Sequence, residues 1–322
     1  MPVPKIPATR GLTISELISA WAKADPRGPD DREVVGIARA CVPLYRMFGD
    51  TPADEFTAPR LVAVQEALIA ASWMTPEERA GEERPWSRQY CNKQIGRMKR
   101  IFRWGEAHGY CPAGAWQHLC AVPPIKADRR TRNTPPRAAL DWDTQVDPVL
   151  GVVSRQVGSL IRLQFLAGMR PQDCVKMRPC DLDPDGPDGC WLYRPDGHKG
   201  TWREHDLVKV LGPAALAILR PWIDMAKTDT EYLFPPHKRN HGQHISVGGY
   251  SRAVAAAVKA TGVRPWSPAD LRHAGAAFAR RVAGEQGVKA FLGHQHAQTA
   301  KHYGKAIDLE TAAEVARKIG AV

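Results

Sequence analysis

The sequence predicts a mainly α-helical chain in two domains, with one small antiparallel β-sheet in the second. Three observations predict it. Apolar residues recur at helical spacing in both halves. Two short β-branched or aromatic runs, 190–194 and 207–211, flank a polar stretch. A proline- and arginine-rich stretch separates the halves. The 322 residues suffice for two cores.

The elements follow in order. Thr13-Ile-Ser-Glu16 is a capping box, in which Thr and Glu side chains satisfy each other's backbone N–H groups. Leu17, Ile18 and Trp21 then share a helical face. Asp25 to Asp31 is a Pro-, Gly- and Asp-rich loop. Ser87 to His108 is the clearest helix, with Cys91, Ile95, Met98 and Phe102 apolar and Gly109 as its C-terminal cap. Residues 88–103 hold six basic side chains and no acidic one. Lys93, Arg97 and Arg100 share a face there, which suits a phosphate backbone or, equally, a solvated surface. Residues 122–137 carry Pro pairs at both ends and Arg129, Arg130 and Arg132 between them. This reads as an extended basic linker that can lie along DNA phosphates. The predicted organisation is a helical domain over 1–125, a linker over 126–137 and a second domain over 138–322. In the second domain helices are expected over 154–169, after Pro171, and over 214–225, 250–260, 270–283 and 310–319.

Composition narrows the classes. Apolar residues make up 43% and charged ones 25%, as in soluble globular proteins. No 18-residue apolar run and no apolar leader predict neither a membrane span nor a secretory signal, so the expected location is cytoplasmic. The seven cysteines are odd in number and form no Cys-x-x-Cys pair, which argues against a disulfide framework or zinc ribbon. The formal net charge is +11 and the pI about 9.4, which attracts polyanions. Asp181, Asp183, Asp185 and Gly186 imitate an EF-hand start, but the twelfth position is Leu192 and prolines interrupt the loop. His237, His241 and His244 lie at helical spacing in a basic stretch without a good helix. No metal site is expected.

Four segments carry chemistry: Leu166-Ala-Gly-Met-Arg170-Pro-Gln-Asp173; His198-Lys199-Gly200 in the polar turn; Ser267-Pro-Ala-Asp-Leu-Arg272-His273; and Leu292-Gly-His294, followed nine residues later by Tyr303. In order and spacing they resemble the catalytic boxes of the tyrosine recombinase, or phage integrase, family over residues 140–305. The basic helical N-terminal region resembles that family's core-binding domain more weakly. The resemblance implies a two-domain DNA clamp that cuts and rejoins DNA site-specifically, without metal, ATP or cofactor. It implies Tyr303 as nucleophile, with Arg170, Lys199, Arg272 and His294 as catalytic partners and Asp173 and His273 in support. Its implied partners are double-stranded DNA, a homotetramer on paired sites and accessory DNA-bending proteins, in a nucleoid-associated setting.

The chemistry agrees with these residue types. A phosphotyrosyl link conserves the energy of the broken bond, so rejoining needs no ATP. Two guanidiniums grip non-bridging phosphate oxygens and stay charged. A lysine near other cations has a lowered pKa and suits protonation of the leaving 5′-oxygen. Lys209 rivals Lys199, but it lies within a strand, whereas the family's lysine lies in the turn. Each residue alone has an ordinary structural reading, Tyr303 as a packed or surface tyrosine and His273 as a buried partner. One departure stands: the family's box has a His three residues before the Arg, and here that residue is Ala269. Ser267 or His273 as replacement, lower activity and loss of catalysis are the alternatives. A type IB topoisomerase-like enzyme and a non-catalytic DNA-binding relative remain as rival functions. The amphipathic segment 308–319 is expected to dock on a neighbouring subunit.

Overall fold

The computed structural model describes residues 11–81, 86–128, 130–134, 138–195, 208–236, 243–293 and 308–321. The chain forms two compact units, 1–137 and 138–322.

The regular elements of the first unit, among its described residues, are helices: α1 Ile14–Ala24, α2 Arg32–Ala40, α3 Val42–Phe48, α4 Ala58–Ala70, α5 Pro76–Gly81, α6 Arg88–Ala107 and α7 Ala115–Cys120. The Thr13–Glu16 capping box opens α1 as its spacing predicts, and Leu17 and Trp21 are buried. The long helix α6 is the axis of this unit. Ser87 caps it by accepting from the Tyr90 N–H, and Cys91, Ile95, Met98, Ile101 and Phe102 point into the core. Phe102 stacks on Phe56 with ring centroids 5.1 Å apart.

Residues 122–128 and 130–134 are laced onto the first unit. The Gln65 amide donates to Pro123 O at 2.9 Å and the Lys99 amine to Val122 O at 3.0 Å. Asn92 brackets both backbone groups of Ile125, and the Arg88 N–H donates to Arg132 O at 2.7 Å. An extended proline-rich chain has no ladder of its own, so side chains of α4 and α6 satisfy its backbone.

The second unit contains α8 Asp147–Leu150, α9 Arg155–Leu166, α10 Pro171–Val175, β1 Leu182–Asp183, β2 Trp191–Tyr193, β3 Lys209–Leu211, α11 Pro213–Ile223, α12 Val247–Thr261, α13 Pro268–Leu292 and α14 Leu309–Lys318. The strands form an antiparallel sheet in the order β1-β2-β3, with Leu192 opposite Asp183 and Val210. The expected hairpin is β2–β3. The third strand, β1, lies where the sequence reads as a polar turn. There Asp181 pairs with Arg178 at 2.7 Å and Asp183 with Arg194 at 3.6 Å, so arginines engage two carboxylates of the EF-hand mimic. The His244 Nδ1–H donates to Ile245 O at 2.8 Å, and its ring stands edge-on to Tyr232. His237 and His241 lie outside the described residues. The mainly α class with a small antiparallel sheet is the observed one.

Two features of this unit matter for function. The first is that α13 is broken by Ala283 and by Gly284, whose φ of 62° and ψ of −155° are open to glycine but hardly to other residues. The chain is redirected there. Gly275 and Phe291 are sixteen residues apart, roughly 24 Å along a straight helix. Yet a Cβ placed on Gly275 would lie 3.0 Å from the Phe291 ring. The second is α14, whose Ala312, Ala313, Val315 and Ala316, with Ile319 beyond, are buried within this unit against α13, β3 and α11. The expected docking of this segment on a neighbouring subunit is therefore corrected. Its apolar face is covered by its own chain, and Gly212 admits the Ala316 carbonyl so closely that a Cβ would collide with it.

Candidate active site

The geometry begins where α9 ends. Gly168 follows the helix with φ +56°, and its missing Cβ makes room for the Phe291 ring, 2.5 Å from where that Cβ would stand. Met169 then turns into the core, and Arg170 precedes Pro171, the first residue of α10. One turn on, Asp173 is buried, with a carboxylate oxygen 3.8 Å from the Arg170 guanidinium. That oxygen, Oδ2, makes no hydrogen bond among the described residues.

Arg272 comes from the first part of α13. Its guanidinium donates to Gly168 O and, at 3.4 Å, to Leu292 O. Burial, then Arg170, pulls it down to about 10, against the opposing pull of Asp173. Arg170, Asp173 and Arg272 are thus brought together, as the boxes imply. His273 is not the buried partner expected of it; it is exposed. The residue beside Arg272 on a helix faces about 100° away, so Arg272 turning inward sends His273 outward. Ala269 is partly buried in the first turn of α13. The Ser267 hydroxyl donates to the Asp270 carboxylate at 2.8 Å, in the cap of the helix.

Lys209, from strand β3, joins this group. It is 1% exposed, and its amine donates to Phe291 O at 2.8 Å and to Gly168 O at 3.3 Å. Burial above all, then Arg272 and Arg170, holds it well below the usual lysine range, with Asp173 pulling the other way. The signal in the sequence is a single lysine inside the apolar run Leu207-Val208-Lys209-Val210-Leu211. The last carbonyls of a helix lack intrahelical partners and carry the negative end of its dipole. Here the end of α13 presents such carbonyls, Phe291 O and Leu292 O, and the turn after α9 adds Gly168 O.

In the first unit, Lys93 and Arg100 are exposed on α6. Arg100 is paired with Glu33 of α2 at 3.3 Å, so the acid missing from residues 88–103 comes from another helix. Arg97 is half-buried, donating to Gly36 O and to Gln94. Arg103, absent from the sequence-based set, lies 4.9 Å over the Trp116 ring. Arg130 bridges Asp128 and Glu66, and Arg132 is exposed. Lys199, His294, Tyr303 and Arg129 lie outside the described residues.

Residues 151–309, just under half of the chain, match the model of the phage integrase family. Through this region the chain belongs to the phage integrase family. The integrase-family region contains Arg170, Asp173, Lys209 and Arg272. A lambda integrase dimer bound to a COC′ core site shares the fold with TM-score 0.64 at 15% identity, over 92% of this chain and 78% of that one. The Tn1549 transposon integrase (residues 82–397) in complex with circular intermediate DNA gives 0.61 at 15% identity, over 94% and 98%. A lambda integrase tetramer bound to a Holliday junction gives 0.61 at 15% identity, over 90% and 80%. At such identity the likeness is one of fold. No curated protein sequence matches the chain. Integrase family and fold together support site-specific DNA recombination in general. Among the described residues no helix is long and apolar enough to cross a membrane.

Proposed function

We propose that this protein is a site-specific DNA recombinase that cuts and rejoins duplex DNA through a 3′-phosphotyrosyl intermediate. The observation that carries the reading is the cluster at the ends of α9 and α13. Two guanidiniums, Arg170 and Arg272, stand beside one buried carboxylate, Asp173. Among the described residues this leaves a surplus of positive charge beside an accessible arginine, Arg170, whose side chain is 41% exposed. Such a pair suits a phosphate that gains negative charge as its phosphorus is attacked.

In this mechanism the Tyr303 phenol gives up its proton to water as its oxygen attacks phosphorus, the P–O bond to the 5′-oxygen breaks, and a 3′-phosphotyrosyl ester forms. Lys199 gives its proton to the departing 5′-oxygen. His294 donates to a non-bridging oxygen, and Asp173 orients Arg170. The 5′-hydroxyl of a partner strand then attacks the ester and restores the phenol. Charge neutralisation comes from guanidiniums and energy from the ester, so the reading includes no metal, cofactor or ATP. Recombination needs four cuts, which calls for a tetramer on two sites, as in the lambda integrase tetramer on a Holliday junction. The first unit, through Lys93, Arg100, Arg103 and the basic residues Arg129, Arg130 and Arg132, would hold the backbone of the duplex. Arg97, committed to Gly36 O, takes a lesser share. A cytoplasmic, nucleoid-associated protein aided by DNA-bending proteins follows from the same reading.

A duplex nicked beside the scissile phosphate traps the intermediate, because the short 5′-fragment diffuses away. Wild-type protein should give an SDS-stable protein–DNA band, and Tyr303→Phe none. A band that survives the substitution removes Tyr303 as nucleophile. Sequence-specific binding without any adduct in the wild type would identify a non-catalytic relative instead.

A further inference from the structure

We propose that Lys209 is a positioning residue for this reaction: its amine ties the Gly168 turn, which leads into Arg170, to the end of α13, from which the chain departs toward His294 and Tyr303. The inference rests on the proposed roles of Arg170 and Tyr303. It deepens that reading by naming what holds the Gly168 turn, which leads into Arg170, to the end of α13.

The geometry has three parts. The Lys209 amine bonds Phe291 O and Gly168 O at 2.8 and 3.3 Å, joining segments more than a hundred residues apart in the chain. The ring of the same Phe291 fills the space left by the absent Cβ atoms of Gly168 and Gly275. Arg272 then repeats the tie one residue on, from Gly168 O to Leu292 O. Arg272 is partly exposed, whereas Lys209 is sealed in, 1% exposed and aimed at carbonyls. A buried amine is costly to desolvate, and an apolar residue would fill a strand core more cheaply. Its presence at the junction of two helix ends is accounted for by the carbonyls it satisfies there. A neutral amine has two N–H donors and so meets both carbonyls without the charge that burial disfavours.

Lys209 is therefore assigned no proton transfer to substrate, and this separates it from Lys199. The comparison uses the full chain on the nicked duplex. With Lys209→Met, single-turnover adduct formation should fall by about 100-fold, the scale of a misplaced reacting group. DNA affinity should stay within about twofold, since a transition-state loss leaves ground-state binding intact. Replacing the leaving 5′-oxygen by sulfur removes the need for a proton donor. That substrate should rescue Lys199→Ala and should not rescue Lys209→Met. Lys209→Arg, which keeps donors in the slot, should recover part of the rate. Wild-type rates in Lys209→Met, or rescue of it by the sulfur substrate, would overturn the proposal.

Should Lys209→Met not fold, Lys209→Gln carries the same comparison, with a polar side chain too short to bridge both carbonyls. Hydrogen exchange supplies a readout that needs no cleavage. Peptides covering 163–170 and 286–293 should exchange faster in the variant, with the first unit unchanged. If wild type forms no adduct, the nucleophile reading fails, and exchange still decides this one: unaltered protection in those two peptides refutes the tie.

Discussion

Arg272 and Lys209 share two carbonyl acceptors, yet they answer to pH in different windows. Burial leaves Arg272 at about 10, charged through neutral pH and able to bind phosphate. Burial and the neighbouring arginines take Lys209 well below 10.5, its ordinary value. Between that lowered value and 10.5 the unfolded chain holds a proton on this lysine that the folded chain does not. Stability therefore rises with pH across that window and falls as pH drops toward the folded value, by up to about 1.4 kcal/mol per pH unit for one proton. Lys209→Met removes this dependence. Urea midpoints of both proteins between about pH 7 and 9 should diverge, with wild type gaining on the variant as pH rises. A gap that stays constant would mean that the amine is charged in the fold. Arg272 and Arg170 were legible from their boxes because each follows a local motif. Lys209 was not, because its meaning depends on burial by α13, which no local pattern in 207–211 contains. His273 is exposed where its sequence suggests burial for a related reason: its neighbour Arg272 takes the inward face.

At the level of elements, helices with a cap and a clean apolar period were the most legible. The Thr13 box and the Ser87–His108 stretch both form as their spacing predicts. The strand β1 was missed because two residues between polar turns carry no alternation to read. The end of the predicted helix at Ala283 coincides with the break in α13. What the pattern did not reveal is that the helix resumes after Gly284 and returns Phe291 to Gly275 and Gly168. The seat of α14 was illegible in the same way: an apolar face shows that something covers it, not whether that is this chain or another. Because the cover is its own unit, removing residues 308–322 should act first on folding. Val315 and Ile319 are fully or almost fully buried, at 0% and 1% exposure. At about 1.5–3 kcal/mol for each large aliphatic side chain, the truncated protein should lose about 3 kcal/mol or more. Thermal melting checks this. A truncated chain as stable as the full one, but impaired in assembly on DNA, would restore the intersubunit seat.

For the whole molecule the governing quantity is a net charge of +11, spread over two units. A basic protein binds DNA with a steep salt dependence, because each neutralised phosphate releases counterions. Not every basic residue contributes to that slope. Arg97 turns its Nη1 to Gly36 O and Gln94, and Arg130 lies between Asp128 and Glu66. Lys93 is exposed on the same helix as Arg97, one turn away, and makes no ion pair among the described residues. If α6 lies along the backbone, Lys93→Gln should lower the slope of log affinity against log salt by about 0.9, the value for one phosphate contact. Arg97→Gln should leave the slope nearly unchanged. Its cost should fall instead on the stability of the first unit, where Gly36 O loses its donor, by about 1 kcal/mol. Affinity measured across a salt series for both variants separates the two. Equal loss of slope would place Arg97 on the phosphate and mean that its bonds to Gly36 and Gln94 give way when DNA arrives. Loss in neither would take α6 off the duplex, and the basic surplus would then have to act through residues of the second unit.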